Sequence, residues 1–144
     1  MCLKNLNISF EKVIGTDEQI ELLYNHLKNR NFGISHNLFP LYQDHITFVK
    51  NHPYRYWAFV LENNLPVGVV YLQTNNSIGL NLQQPTRHLV SEVLRHIRKN
   101  FEPEKEIRSI IPSYFYVNVA YANKKLRKIL LELDAIPLQM SYKV

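Results

Sequence analysis

The sequence holds one cysteine, Cys2, in 144 residues. A disulfide within the chain is thereby excluded, and so is a metal site built on cysteines. A reducing, cytoplasmic setting is the expectation, and a thiol so near the N-terminus is poorly placed for catalysis. The N-terminus has no apolar stretch long enough for a signal peptide or a membrane span, so no membrane partner is expected. Basic residues never run to five in a row. No repeat recurs at a fixed period and no low-complexity linker divides the chain, which predicts one domain over residues 1–144. His36, His45 and His52 lack the HxxxH spacing and a supporting set of carboxylates, so no metal is expected.

What is present is ordinary for a folded domain: 46% hydrophobic and 20% charged residues, enough to bury a core and too apolar for disorder. Nine tyrosines, seven phenylalanines and one tryptophan supply packing area and hydroxyls for a polar pocket. The net charge of +5 suits an anionic ligand such as a nucleotide or pyrophosphate, or simply a solvated positive surface. Stacking aromatics interleaved with a basic stripe are not evident, so nucleic acid is not the expected partner.

Hydrophobic periodicity gives the element order. Leu6 to Val13 reads as a strand. Thr16, with Gln19 three residues on, reads as a capping box for a helix reaching about Arg30. Residues 31–39 form a loop, and Pro40 suits the first turn of a second helix, which stops before Asn51. Tyr56 to Leu61, Pro66 to Leu72 and Ser77 to Leu82 read as strands joined by Asn63-Asn64 and Asn75-Asn76 turns, a meander of hairpins. The first of these is apolar on both faces, as a central covered strand should be. Pro85 to His88 is a loop, and Val90 to Phe101 a helix. Ile107 to Ile111 and Tyr114 to Ala120 are strand-like. Asn123 caps a last helix with its stripe at Leu126, Ile129, Leu130 and Leu133. Leu138, Met140 and Tyr142 alternate as a final strand. The predicted fold is α/β, a mixed sheet with helices on both faces, in the order β-α-α-β-β-β-α-β-α-β.

This order, with the segments SIGLNLQQPTRHLVSEVLRHI and FYVNVAYANKKLRKILLELDA, resembles the GNAT superfamily of N-acetyltransferases over nearly the whole chain. The resemblance implies acetyl-CoA, or another acyl-CoA, as cosubstrate. It maps the cofactor-binding fourth strand to Ser77–Leu82 and the fifth, which splays from it, to Tyr114–Val119. The segment from Asn123 to Leu133-Asp134-Ala135 is similar to the family's strand, Asn, helix and Leu-Gly-Phe pattern. The fragments GISHNLFPLYQDHITFVKNHPYRYW and NNSIGLNL also resemble small GNAT-like proteins of surface-polysaccharide and nucleotide-sugar gene neighbourhoods, which implies a nucleotide-linked amino sugar as acceptor. There are two departures. The pyrophosphate loop reads Gln84-Pro85-Thr86-Arg87-His88-Leu89, without the glycines whose bare N–H groups wrap phosphate. The frequent general-acid tyrosine is replaced by Leu130.

The resemblance implies a polarising backbone donor around Leu80, Asn81 and Leu82. It implies phosphate contacts from Gln84, Thr86, Arg87 and His88, and pantetheine contacts from Asn118 and Asn123. His36 lies in the loop that borders the acceptor pocket in this superfamily. An imidazole there is the candidate general base for the amine, or else a surface histidine. His45, Tyr54 and Arg55 are candidates for the substrate's sugar or phosphate, or else anchor the second helix to the sheet. The expected function is direct acyl transfer to a small amine. The alternatives are a noncatalytic GNAT-like binding or assembly domain, favoured by the missing glycines and Leu130, and a nucleic-acid-binding module. A single strand after the last helix implies an exposed sheet edge and a homodimer.

Overall fold

Two faces of one twisted sheet divide the apolar residues of this chain almost strand by strand. The computed structural model describes residues 6–30 and 39–144. Its elements are β1 (Ile8–Lys12), α1 (Asp17–Lys28), α2 (Tyr42–Lys50), β2 (Tyr56–Glu62), β3 (Leu65–Leu72), β4 (Ser77–Leu82), α3 (Arg87–Asn100), β5 (Tyr116–Val117) and α4 (Lys124–Glu132). The strands lie side by side in the order β1-β2-β3-β4-β5. The first three pairings are antiparallel and the last is parallel. This is the GNAT-like α/β topology, a mixed sheet with helices on both faces.

The hairpins follow from local chemistry. Asn63 and Asn64 both take the left-handed conformation, with φ of 50° and 65°. That is the backbone a two-residue turn needs to match the strand twist, and asparagine tolerates it. Alternation then sorts the core. Trp57, Phe59 and Val69 pack with Val13, Ile20, Leu23 and Val49 under α1 and α2. Ala58, Val60, Val70, Leu72 and Ile78 pack with Leu89, Val93 and Ile97 of α3. Residues i and i+1 of β2 therefore serve opposite cores, which is why that strand is apolar throughout. Leu126, Ile129 and Leu130 of α4 close the second face against Val90, Leu80 and Leu82.

Several expected boundaries move. Thr16 caps α1 by accepting from the Gln19 N–H, but the Gln19 side chain does not complete the reciprocal box. Its Oε1 accepts from Ile14 and Gly15 N–H at 2.8 and 3.1 Å, and its Nε2 donates to the Lys12 carbonyl. Buried Gln19 thus holds the β1–α1 turn together. α2 starts at Tyr42, two residues after Pro40, whose carbonyl accepts from the Tyr24 hydroxyl instead. Ile107 to Ile111 is a tight turn closed by one bridge, with Ser109 at φ 68°, and not a strand. β5 is shorter than expected, two residues.

The expected final strand does not form. α4 ends with Asp134 at φ 65°, its N–H on the Leu131 carbonyl and the Ala135 N–H on the Leu130 carbonyl. This Schellman closure places Asp134 in the left-handed position that a glycine usually takes. Beyond it Leu138, Met140 and Tyr142 are exposed and belong to no strand. Alternation alone made them strand-like, but no sheet edge lies beside them to supply the ladder.

Candidate functional site

β4 and β5 are paired only at Ser77↔Tyr116 and Ile78↔Val117. The Tyr116 N–H donates to the Asn76 carbonyl at 3.2 Å, so the even-numbered residues of β4 direct their backbone groups toward β5. Past Ile78 the ladder stops while β4 continues to Leu82. The backbone groups of Leu80 and Leu82 therefore face a notch on the side where β5 has already ended, without a strand partner among the described residues. Their side chains are half-buried against α3 and α4. Asn118, just past the end of β5, is exposed.

Both parallel strands lead into helices that start from the same edge. Thr86 caps α3, its hydroxyl oxygen accepting from the Leu89 N–H at 3.1 Å while its own proton stays available to donate. Arg87 and His88 stand exposed in the first turn, and Gln84 is exposed in the preceding turn. Asn123 caps α4 through its Oδ1, which accepts from the Leu126 N–H, leaving its amide nitrogen free of that bond. The N-terminus of a helix carries partial positive charge, and carboxylates normally gather there. α1 obeys this with Asp17 and Glu18, and α2 with Asp44. α3 and α4 have no acid in the first turn and carry Arg87, and Lys124 with Lys125, instead. Cations placed against the dipole at two adjacent helix starts make an edge suited to an anion.

The opposite face of β4 holds a polar group that the sequence reading did not single out. Asn81 pairs with Val69, whose side chain belongs to the α1/α2 core, so Asn81 points toward α1. There it meets His26. Burial pushes the His26 imidazole below its ordinary 6.5, Asn81 opposes this by hydrogen bonding, and the positive charge of Arg30 adds to it. Among the described residues the Nε2 atom of that ring is buried without a hydrogen-bond partner. Together with Leu22, Asn25, Asn29, Pro66 and Gln83, His26 lines a cleft of about 210 Å³ between α1 and the end of β4. Next along β4 toward its start, Gly79 lies under the Tyr71 ring, which would collide with any Cβ there. Tyr54 stacks on Tyr71, 4.4 Å between centroids. Burial, helped by Tyr71, pushes the Tyr54 phenol up to about 12, so it stays a protonated donor. A signal for His26 was present: Leu23 and His26 are three apart on α1, the spacing of one face, and Arg30 follows four residues on, just past the helix end.

Other expected residues stand elsewhere. His45 is buried, with Nε2 3.0 Å from the Ile20 carbonyl, and so ties α2 to α1. Arg55 sits before β2, at the opposite end of the sheet from the α3 and α4 starts. Its guanidinium donates to the Glu102 carbonyl at 2.7 Å, pairs with Glu104 at 3.2 Å and covers the Phe101 ring. Arg55 clasps the loop after α3. Leu130 is buried in the α4 core and offers no hydroxyl to the notch. His36 lies outside the described residues. Among the described residues no group of three His, Cys, Asp or Glu could hold a metal ion, and no helix is long and apolar enough to cross a membrane.

Comparison with known proteins gives no match to a family model, to a curated protein or to a solved structure.

Proposed function

We propose that the chain is an acyl-CoA-dependent N-acyltransferase, with acetyl-CoA as the expected cosubstrate and a small amine as acceptor. One observation carries the reading: β4 parts from β5 after two residue pairs and leaves the Leu80 and Leu82 backbone facing an open notch. A thioester laid in that notch supplies the activated acyl group. The pantetheine arm has amide groups that need partners of strand-like spacing, and the unpaired backbone of β4 offers them. Asn118 directly follows β5 and Asn123 caps α4, and both are proposed partners for the same arm. The Thr86 hydroxyl, Arg87, His88 and Gln84 stand where the pyrophosphate would meet the start of α3. The missing glycines remove bare N–H groups, and the charged and hydroxyl donors take their place.

For the transfer itself the protein supplies position and polarity. A backbone N–H of Leu80 or Leu82 polarises the acyl carbonyl, and the amine attacks directly. Cys2 lies outside the described residues, and no covalent enzyme intermediate is invoked. The narrower acceptor candidate is a nucleotide-linked amino sugar, whose phosphates suit the +5 net charge. Tyr54, protonated and half-buried, is the remaining donor among the expected substrate contacts. Buried Leu130 favours a second reading, a noncatalytic acyl-CoA-binding domain, because no hydroxyl there can protonate the leaving thiolate.

The test is release of free thiol from acetyl-CoA in the presence of a panel of small amines. The proposal expects amine-dependent thiol release, and Arg87→Glu is expected to raise the KM for acetyl-CoA about tenfold, the scale of one charge-assisted contact. Binding of acetyl-CoA without thiol release on any amine would select the noncatalytic reading.

A further inference from the structure

The cleft between α1 and the end of β4 is lined by His26, whose Nε2 is buried and has no hydrogen-bond partner among the described residues. Buried polar atoms are nearly always hydrogen-bonded, and an exception in the wall of a cleft marks the place of an absent partner. The rest of the lining limits what that partner is. Asn25, Asn29 and Gln83 present carboxamides, each able to donate and accept, and among the described residues the lining includes no carboxylate. A second cation on the ligand would find no counter-charge, whereas hydroxyls would find several partners. We propose that this cleft is the acceptor subsite, that it takes a primary amine on a hydroxylated body, and that His26 receives the proton the amine must lose. This assignment rests on the acyltransferase reading.

Geometry connects the cleft to the notch. Asn81 faces His26 on one side of β4, while its neighbours Leu80 and Leu82 turn their backbone groups toward β5. An amine held at His26 thus approaches the same stretch of strand from the α1 side that a thioester approaches from the β5 side. The imidazole is neutral at neutral pH, since burial holds its pKa below the ordinary value. The ammonium gives one proton to His26 Nε2. The freed nitrogen lone pair forms the N–C bond to the acyl carbon, and the C–S bond breaks. The second amine proton goes, through water, to the departing thiolate, and His26 later returns its proton to solvent. The products are amide, thiol and one proton. Nε2 has almost no accessible surface of its own, so the cleft wall must shift as the amine binds.

The experiment uses the full chain, acetyl-CoA and two probe amines, D-glucosamine and spermidine. Imidazole nitrogen resonances are followed by 15N-histidine NMR, and kcat/KM by thiol release from pH 5 to 8. The expected result is a saturable shift of the His26 resonances on adding glucosamine, with glucosamine preferred over spermidine. His26→Gln should lower kcat/KM by about 100-fold or more and remove the acid limb of its pH profile, with acetyl-CoA binding within twofold of the parent. Gln83→Leu, at the open side of the cleft, should raise the KM for glucosamine several-fold and leave kcat unchanged, even if His26→Gln folds poorly. The proposal is overturned if His26→Gln keeps the rate and the limb while His36→Gln loses them. Preference for spermidine, or unmoved His26 resonances, would overturn it too. Failure of the wild-type chain to bind acetyl-CoA would sink the acyltransferase reading itself. Intact acetyl-CoA binding with an indifferent His26→Gln would sink only this assignment.

Discussion

Asn76 shows how much one side chain can determine in a fold of this size. It is fully buried in the β3–β4 turn at φ 73°. Its amide nitrogen donates to the Glu104 and Pro112 carbonyls at 3.1 and 2.8 Å, and its Oδ1 accepts from the Glu104 N–H. One asparagine thus fastens the long connection after α3 to the hairpin and sets where β5 meets β4. Asn76→Ala would deprive three partly buried backbone groups of their partner and force alanine into a left-handed position, a loss of about 3 kcal/mol. Asn75→Ala, which removes only the acceptor for the Ser77 N–H, should cost about 1 kcal/mol. Urea unfolding of both variants checks this order; equal midpoints would contradict it. In the sequence both residues read as turn formers. What separates them is which one points inward, and that depends on a loop some thirty residues away.

At the scale of elements, three histidines link helices and strands in neutral form. His96 of α3 stacks on Phe10 of β1 at 3.7 Å, and its Nε2 stands 2.9 Å from the Tyr56 hydroxyl of β2. Burial depresses the pKa of His96, with Lys99 adding to it. Burial also depresses His26 and His52, opposed at His26 by Asn81 and reinforced by Arg30 and Lys12 respectively. With folded values below the unfolded value near 6.5, the unfolded chain binds more protons as the pH falls through that range. The stability these sites contribute is complete above about pH 6.5 and is lost progressively below it. Thermal melts should therefore show Tm falling from pH 6.5 to 5, and His96→Phe should flatten that slope. A Tm constant over this range would contradict it. The helices and hairpins themselves were legible from periodicity and from paired asparagines. The cleft beside His26 was not, because His26 looks like one more polar residue on α1 until β4 is laid beneath it.

The whole molecule is more open at one end than its sequence pattern implied. Ile136, Leu138, Met140 and Tyr142 are 59–79% exposed after α4, and Tyr121 and Leu131 add apolar area nearby. In the described chain β5 is the outermost strand on its side of the sheet. A homodimer would join here, with the tail of one chain covering the open β5 side of the other. Sedimentation of the full chain should give a dimer, and a chain ending at Ala135 should sediment as a monomer; identical profiles would refute this reading. The β2-β3-β4 meander was legible because those two pairings are made by short turns, whereas the β1–β2 and β4–β5 pairings each span intervening helices. The fate of the tail was not, because alternation records only that one side of a segment wants cover and not which surface supplies it.

The notch between β4 and β5 bears the weight of the functional account, and calorimetric titration of the folded chain with acetyl-CoA tests it most directly. Desulfo-CoA serves as the control for the thioester, and longer acyl-CoAs run in parallel. The account predicts saturable one-to-one binding, weakened by Arg87→Glu at the start of α3. Absence of binding to any of these ligands, with the protein shown to be folded in the same buffer, would contradict it.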